Sequence, residues 1–180
     1  MKKGDRYKIR GDKNLLKIFN SSNLFSIDNV DEARTISSGL KSDNSEIRKA
    51  TIEFIEEQFT TFHTDMGCRP PESDISKVIC SNILNALIEN ENKTIEYELI
   101  CALEDWSENI APDLDIELLI KKLPNLYPAS LENALRIIYL SGHEKSSNII
   151  SEFKNHEAEF IQTVAKELTK KIDKNTANNG

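Results

Sequence analysis

The sequence predicts an all-α protein, and three observations support this prediction. Apolar residues recur every three or four positions along most of the chain, as they do in helices with one buried face. Only six glycines and five prolines occur in 180 residues, and long periodic segments separate them. Hydrophobic residues make up 38% of the chain, which is sufficient for a single domain with a sizeable core.

Residues 1–13 are predicted to form a basic arm that precedes a helical domain of residues 14–172. The arm carries a local charge of +4, whereas the whole chain carries −7, so the remainder carries −11. An arm of this kind is either a solvated tail or a contact for nucleic acid. The acidic remainder is expected to repel nucleic acid and to attract basic protein surfaces.

The first helices are predicted from their capping residues. A short helix is expected at 14–24, and Asn29 or Asp31 is expected to cap the next helix, which ends near Gly39. Ser45 is expected to cap a third helix. The predicted buried stripe of this third helix consists of Ile47, Ala50, Phe54, Ile55 and either Phe59 or Phe62, and its opposite face carries Glu53, Glu56 and Glu57.

The remaining helices follow a predicted loop at 63–72, which contains one glycine and two prolines. Ser130 is expected to cap a helix at 131–141, and Gly142 is expected to end it. Residues 173–180 are polar and are predicted to form a flexible tail. The same periodicity predicts helices at 94–109, 115–123, 145–154 and 157–172, and one that begins at Ser73 or Asp74 and ends before Asn90.

The window 94–120 contains eight carboxylates and no lysine or arginine. Its apolar residues have helical spacing, so the acids are predicted to occupy the opposite, exposed face. We predict that this face binds a partner, with Trp106 either in the core or as an interface anchor. The predicted partner-binding residues are Glu56, Glu57, Glu96, Glu104, Asp105, Trp106, Glu108, Asp113 and Asp115.

No catalytic residue, metal site or cofactor is predicted. His63, Asp65 and Cys68 lie close together in the sequence, but their spacing matches no zinc pattern. His143 and His156 each lie in a polar turn and are interpreted as solvated loop residues. The acids of the window 94–120 lack the spacing of a calcium loop and the contrasting environments that general acid–base catalysis requires.

The chain is expected to be cytoplasmic. The residues that follow the N-terminal lysines contain no continuous apolar segment, so neither a signal peptide nor a membrane span is predicted. Cys68, Cys80 and Cys101 are odd in number and form no CxxC motif, which indicates reduced thiols. Cys80 and Cys101 fall on apolar helix faces and are expected to pack as small hydrophobic residues.

A small residue recurs at a regular interval in the predicted helices. Ala102, Ala134 and Ala165 each lie in the middle of a helix, separated by 32 and 31 residues. Ala50 fits the same position in an earlier helix. A small residue at a fixed place in each helical hairpin allows neighbouring helices to approach closely, as stacked repeats require.

The segment 130–172 resembles the HEAT-repeat family. The similarity lies in a helix, an LSG turn, a short helix with Ile149-Ile150 and a last helix with Val164-Ala165. The sequence SEIRKATIEFI is similar to the second helix of such a repeat, and Arg48 matches the basic position that the family usually has.

The resemblance covers residues 28–172 and implies an α-α superhelix of about four HEAT-like hairpins in a single domain. It also implies protein binding and rarely catalysis. Pro124 and Pro128 shorten the third hairpin, and an unrelated helical bundle is the alternative fold.

Small, acidic, single-domain proteins without catalytic motifs resemble the immunity partners of contact-dependent and other polymorphic bacterial toxins. We therefore predict a non-catalytic protein that binds and neutralises a basic toxin domain of the nuclease type. An acidic cap would complement the cationic active site of a nuclease and accelerate its capture. The alternatives are a HEAT-like scaffold or regulatory subunit and a helical-repeat enzyme that acts on nucleic acid, for which a basic groove would be needed.

Overall fold

The computed structural model describes residues 15, 27, 29–60, 73–110 and 113–178, with the backbone alone at 57–60, 106–110 and 176–178. Within this part of the chain the protein is 84% helical and contains no strand, which confirms the predicted all-α class. Short 3-10 segments follow three of the helices, at Ser38–Lys41, Leu123–Asn125 and Phe153–Asn155. The α-helices are α1 (Val30–Ser37), α2 (Ser45–Thr60), α3 (Ser73–Glu89), α4 (Lys93–Ile110), α5 (Ile116–Lys122), α6 (Pro128–Leu140), α7 (Ser146–Glu152) and α8 (Glu159–Asn178).

The contacts divide the chain into two compact units, Met1–Glu89 and Asn90–Gly180. The first unit contains α1 to α3, and the second contains α4 to α8. The predicted helix at 14–24 lies outside the described residues except for Leu15, which is helical and buried.

In the first unit, α1 packs against α3. The side-chain amide of Asn82 on α3 donates a hydrogen bond to Ser37 Oγ at the end of α1 (2.6 Å). The 3-10 segment after α1 lies so close to α2 that a Cβ at Gly39 would clash with the Thr51 side chain. Thr51 is fully buried, whereas Ala50 is half-buried. The prediction that Ala50 belongs to the buried stripe is therefore wrong, and the close approach depends on Gly39 instead.

In the second unit, α6 packs against both α4 and α8, and the short helices α5 and α7 contact α6. The three alanines at the regular interval lie one each on α4, α6 and α8, and all three are buried. This burial confirms the expectation that Ala102, Ala134 and Ala165 belong to the core. The absence of side-chain bulk at these positions permits close contact between helices.

Two predicted helix starts differ from the observed ones. At α2 the Asn44 carbonyl accepts the first helical bond from Arg48 N–H (3.1 Å), and Asn44 Oδ1 accepts a bond from Glu46 N–H (2.9 Å). Asn44 therefore caps α2, and the prediction of Ser45 is wrong by one residue. Ser130 does not cap α6, because this helix begins at Pro128; Ser130 lies in its first turn, buried and with no hydrogen-bond partner for its hydroxyl.

Two other helix ends follow their sequence signals, whereas the end of the last helix does not. Asn29 Oδ1 accepts a hydrogen bond from Glu32 N–H (3.0 Å), which confirms Asn29 as the cap of α1. Gly142, with φ of 63°, follows the C-terminal end of α6, where a left-handed conformation favours glycine. The last helix continues to Asn178, beyond its predicted end at residue 172.

No helix in the described ranges combines the length and the apolar character that crossing a bilayer would require.

Candidate protein-binding face

Glu96, predicted to lie on the exposed acidic face of α4, is buried with an exposed fraction of 1%. Its Oε1 accepts a hydrogen bond from the Tyr127 N–H (3.0 Å), immediately before α6. The positive end of the α6 dipole favours a carboxylate at this place. The prediction that Glu96 belongs to the exposed face is therefore wrong, because the carboxylate takes part in packing α4 against the start of α6.

The next acidic pair along α4 lies closer to solvent. Asp105 is exposed and Glu104 is half-buried. Both carboxylates are close enough to Cys101 to raise the pKa of its thiol. Glu104 and Asp105 therefore lie together on α4, one helical turn after the half-exposed Cys101.

Two residues that were not among the predicted binding residues, Tyr97 and Asn133, bond to Cys101, and a third, Glu132, lies near Tyr97. Tyr97, whose exposed fraction is 49%, shares a hydrogen bond with Cys101 through its hydroxyl. The side-chain amide of Asn133 on α6 donates a hydrogen bond to Cys101 Sγ (3.2 Å). The hydrogen bond with Cys101 is the main cause that raises the pKa of Tyr97, and the Glu132 carboxylate on α6 raises it further. We refer to these residues as the α4–α6 patch, which consists of Tyr97, Cys101, Glu104, Asp105, Glu132 and Asn133.

One residue of this patch, Cys101, was considered in the sequence analysis but was assigned a different role. Cys101 was expected to pack as a small hydrophobic residue, whereas it is half-exposed; Cys80 is buried, as expected. Burial is the main cause that raises the pKa of the Cys101 thiol, and the carboxylates of Asp105 and Glu104 raise it further. The thiol therefore stays protonated at neutral pH, in contrast to the activated thiolates of nucleophilic cysteines.

Other acids of the window 94–120 have roles within the fold. Asp115 caps α5, where its side chain accepts a hydrogen bond from Leu118 N–H (3.4 Å). Glu117 Oε1 lies 2.6 Å from Lys145 Nζ and 3.6 Å from His143 Nε2. The hydrogen bond from Lys145 holds the pKa of the Glu117 carboxyl below its ordinary value. Of the remaining predicted acids in this window, Asp113 is half-buried.

The other predicted binding residues add less information. The side chains of Trp106, Glu108 and Glu57 lie outside the described residues, so the predictions for them stay predictions. Glu56 belongs to the first compact unit and is exposed.

The described residues include no group of three or more His, Cys, Asp or Glu side chains arranged to hold a metal ion. His63, Asp65 and Cys68 lie outside these residues. Comparisons with protein-family models, with curated proteins and with solved structures found no match.

Proposed function

We propose that this chain is a non-catalytic protein that binds a basic protein partner through the α4–α6 patch. The observation that carries the proposal is the pairing of a half-exposed aromatic ring, Tyr97, with the carboxylates that surround Cys101. Aromatic residues are enriched in the centres of protein interfaces. Carboxylates around such a ring favour a partner with lysine or arginine side chains.

We further propose that the helices form a HEAT-like superhelix. The packing of α6 against both α4 and α8, with one buried alanine on each helix, supports this arrangement within the second unit. Stacked helical hairpins present extended surfaces, and proteins built from them use these surfaces to bind other proteins.

The most specific form of the proposal is an immunity protein that neutralises a nuclease-type bacterial toxin domain. A nuclease requires a cationic surface to hold phosphate groups, and an acidic patch can occupy that surface in place of nucleic acid. Opposite charges on the two proteins would also accelerate their encounter.

Co-expression with a toxin domain encoded beside this chain tests this proposal. We expect a complex and survival of the cells with the wild-type chain, and loss of both with Glu104→Lys and Asp105→Lys together. A matched control reverses the same number of charges at the exposed residues Glu152 and Glu167, and it should still protect. The proposal of an immunity function fails if the wild-type chain gives neither a complex nor protection.

A HEAT-like scaffold or regulatory subunit is the second candidate function. Phe160 on α8 favours it, because this large apolar side chain has an exposed fraction of 45% and lies on a different helix from the α4–α6 patch. A scaffold would bind through such apolar positions, so its complexes should survive charge reversal at Glu104 and Asp105.

A further inference from the structure

Among the residues that the structure describes, the same kind of hydrogen bond precedes four helices. In each case a side chain two residues before the N-cap residue accepts the backbone N–H of that N-cap residue. Before α2, Ser42 Oγ accepts from Asn44 N–H (3.1 Å), and before α4, Asn90 Oδ1 accepts from Asn92 N–H (2.7 Å). Serine and asparagine do not change their charge in the physiological pH range.

Before α7 and α8 the acceptor is a histidine. His143 Nδ1 accepts from Lys145 N–H (3.3 Å), and Lys145 is the N-cap residue of α7. His156 Nδ1 accepts from Ala158 N–H (3.1 Å), and the Ala158 carbonyl accepts the first bond of α8 from Gln162 (3.2 Å). An imidazole nitrogen accepts a hydrogen bond only when it carries no proton.

These two bonds matter more than their counterparts at α2 and α4. Asn44 and Asn92 also cap their own helices, because their Oδ1 atoms accept from Glu46 and Thr94 N–H (both 2.9 Å). Lys145 forms no side-chain cap bond, and Ala158 has no polar side chain. His143 is therefore the side-chain acceptor on which the start of α7 depends, and His156 is the one on which the start of α8 depends.

We propose that His143 and His156 make the starts of α7 and α8 sensitive to pH. Histidine ordinarily changes its charge between pH 5 and 8. When a proton binds Nδ1, this nitrogen becomes a hydrogen-bond donor and faces a backbone N–H, which is also a donor. The stabilising bond is therefore present at higher pH and is lost as the pH falls.

The bond before α8 is shorter than the bond before α7 (3.1 Å against 3.3 Å), so we expect α8 to be the more sensitive helix. Glu117 Oε1 of α5 lies 3.6 Å from His143 Nε2, and Lys145 Nζ lies 2.6 Å from the same oxygen. His156 lies against the Phe153 ring, with 6.1 Å between ring centroids. In the described part of the chain, no side-chain carboxylate of α7, the following 3-10 segment or α8 lies within ion-pair distance of His156.

Amide hydrogen exchange at single residues tests the proposal. The reporters are the first helical N–H groups of α7 and α8, on Ile149 and Gln162, and those of α2 and α4, on Arg48 and Glu96. Between about pH 7.5 and about pH 5.5 we expect the protection factor of Gln162 to fall by about 2- to 30-fold, the range that the loss of a helix cap spans. The fall at Ile149 should be smaller, and Arg48 and Glu96 should show none.

Two substitutions of His156 distinguish the loss of the hydrogen bond to its Nδ1 from other effects of pH on the protein. His156→Asn places an amide oxygen near the position of Nδ1, as Asn90 does before α4, and should remove the pH dependence at Gln162. His156→Ala should lower protection at Gln162 at about pH 7.5 to the level that wild type shows at about pH 5.5, and should likewise remove the pH dependence. The proposal is overturned if wild type and His156→Asn lose protection equally on acidification, or if His156→Ala leaves protection at about pH 7.5 unchanged.

Discussion

Glu96 and Asp105 lie on the same helix, but the fold uses them in opposite ways. Glu96 is buried and bonded to the backbone at the start of α6, whereas Asp105 is exposed beside a half-exposed cysteine. The difference arises from what packs against each position of α4. Acids along a helix therefore divide into those that stabilise the fold and those that stay accessible to a partner.

Glu117, like Glu96 and unlike Asp105, makes a contact that connects two elements of the fold. Its carboxylate bonds Lys145 and approaches His143, so it connects α5 with the turn after α6. The eight carboxylates of the window 94–120 are therefore not one acidic face. Two of these acids, Glu104 and Asp105, belong to the α4–α6 patch that we propose as the binding surface.

The largest effect expected from this comparison is that of Glu96→Ala. This substitution removes the acceptor of Tyr127 N–H and should lower the free energy of unfolding by about 1–3 kcal/mol. Chemical denaturation measures the change. Glu96→Gln, which keeps an oxygen acceptor, should lose less. A stability of Glu96→Ala equal to that of wild type would contradict the structural role of Glu96.

Ala134→Leu tests the packing of α6 with its neighbours. Ala134 is fully buried, and the larger side chain should destabilise the protein by about 1–3 kcal/mol through overpacking. Ala129→Leu is the matched control, because Ala129 lies on the same helix and is exposed; it should stay within about 0.5 kcal/mol of wild type. Equal unfolding midpoints for both variants would rule out close packing at Ala134.

A smaller, pH-dependent effect is expected of Glu117→Gln. Lys145 lowers the pKa of Glu117 in the folded protein below its ordinary value of 4.5. The ion pair therefore stabilises the fold above the ordinary pKa, and this contribution is lost as the pH falls through the lowered pKa.

Thermal unfolding checks this expectation. The wild type should melt slightly above Glu117→Gln near neutral pH, and the difference should vanish once the carboxyl of the folded protein is protonated. A difference that persists in strong acid would show that the ion pair is not its source.

The smallest effect on stability is expected of Asp105→Lys, because this side chain is exposed. Its free energy of unfolding should stay within about 0.5 kcal/mol of wild type. Circular dichroism melts provide the measurement. A loss as large as that of Glu96→Ala would place Asp105 among the acids that stabilise the fold.

The sequence predicts the helices well because periodicity and capping residues act locally. Asn29 and Gly142 lie where such signals place them. The start of α2 is shifted by one residue because Asn44 and Ser45 are both good caps. The start of α6 was missed because Pro128 suits the first helical position and extends the helix before Ser130.

The candidate site is less predictable because it depends on contacts between distant residues. Glu96 accepts a hydrogen bond from the backbone of Tyr127, 31 residues further along the chain, and Asn133 bonds to Cys101 from another helix. Thr51 rather than Ala50 is buried because Gly39 lies against it. None of these pairs has a signature in local periodicity.

A pull-down from the native organism with mass spectrometry tests most directly whether the α4–α6 patch binds a basic protein, as we propose. We compare wild type, Glu104→Lys with Asp105→Lys, and the control reversal at Glu152 and Glu167, each at low and high salt. We expect wild type and the control to capture the same basic protein at low salt. High salt or reversal at the patch should release it. Capture of an acidic or multi-protein assembly that resists salt and is unchanged by reversal at the patch would contradict the claim and favour the scaffold function.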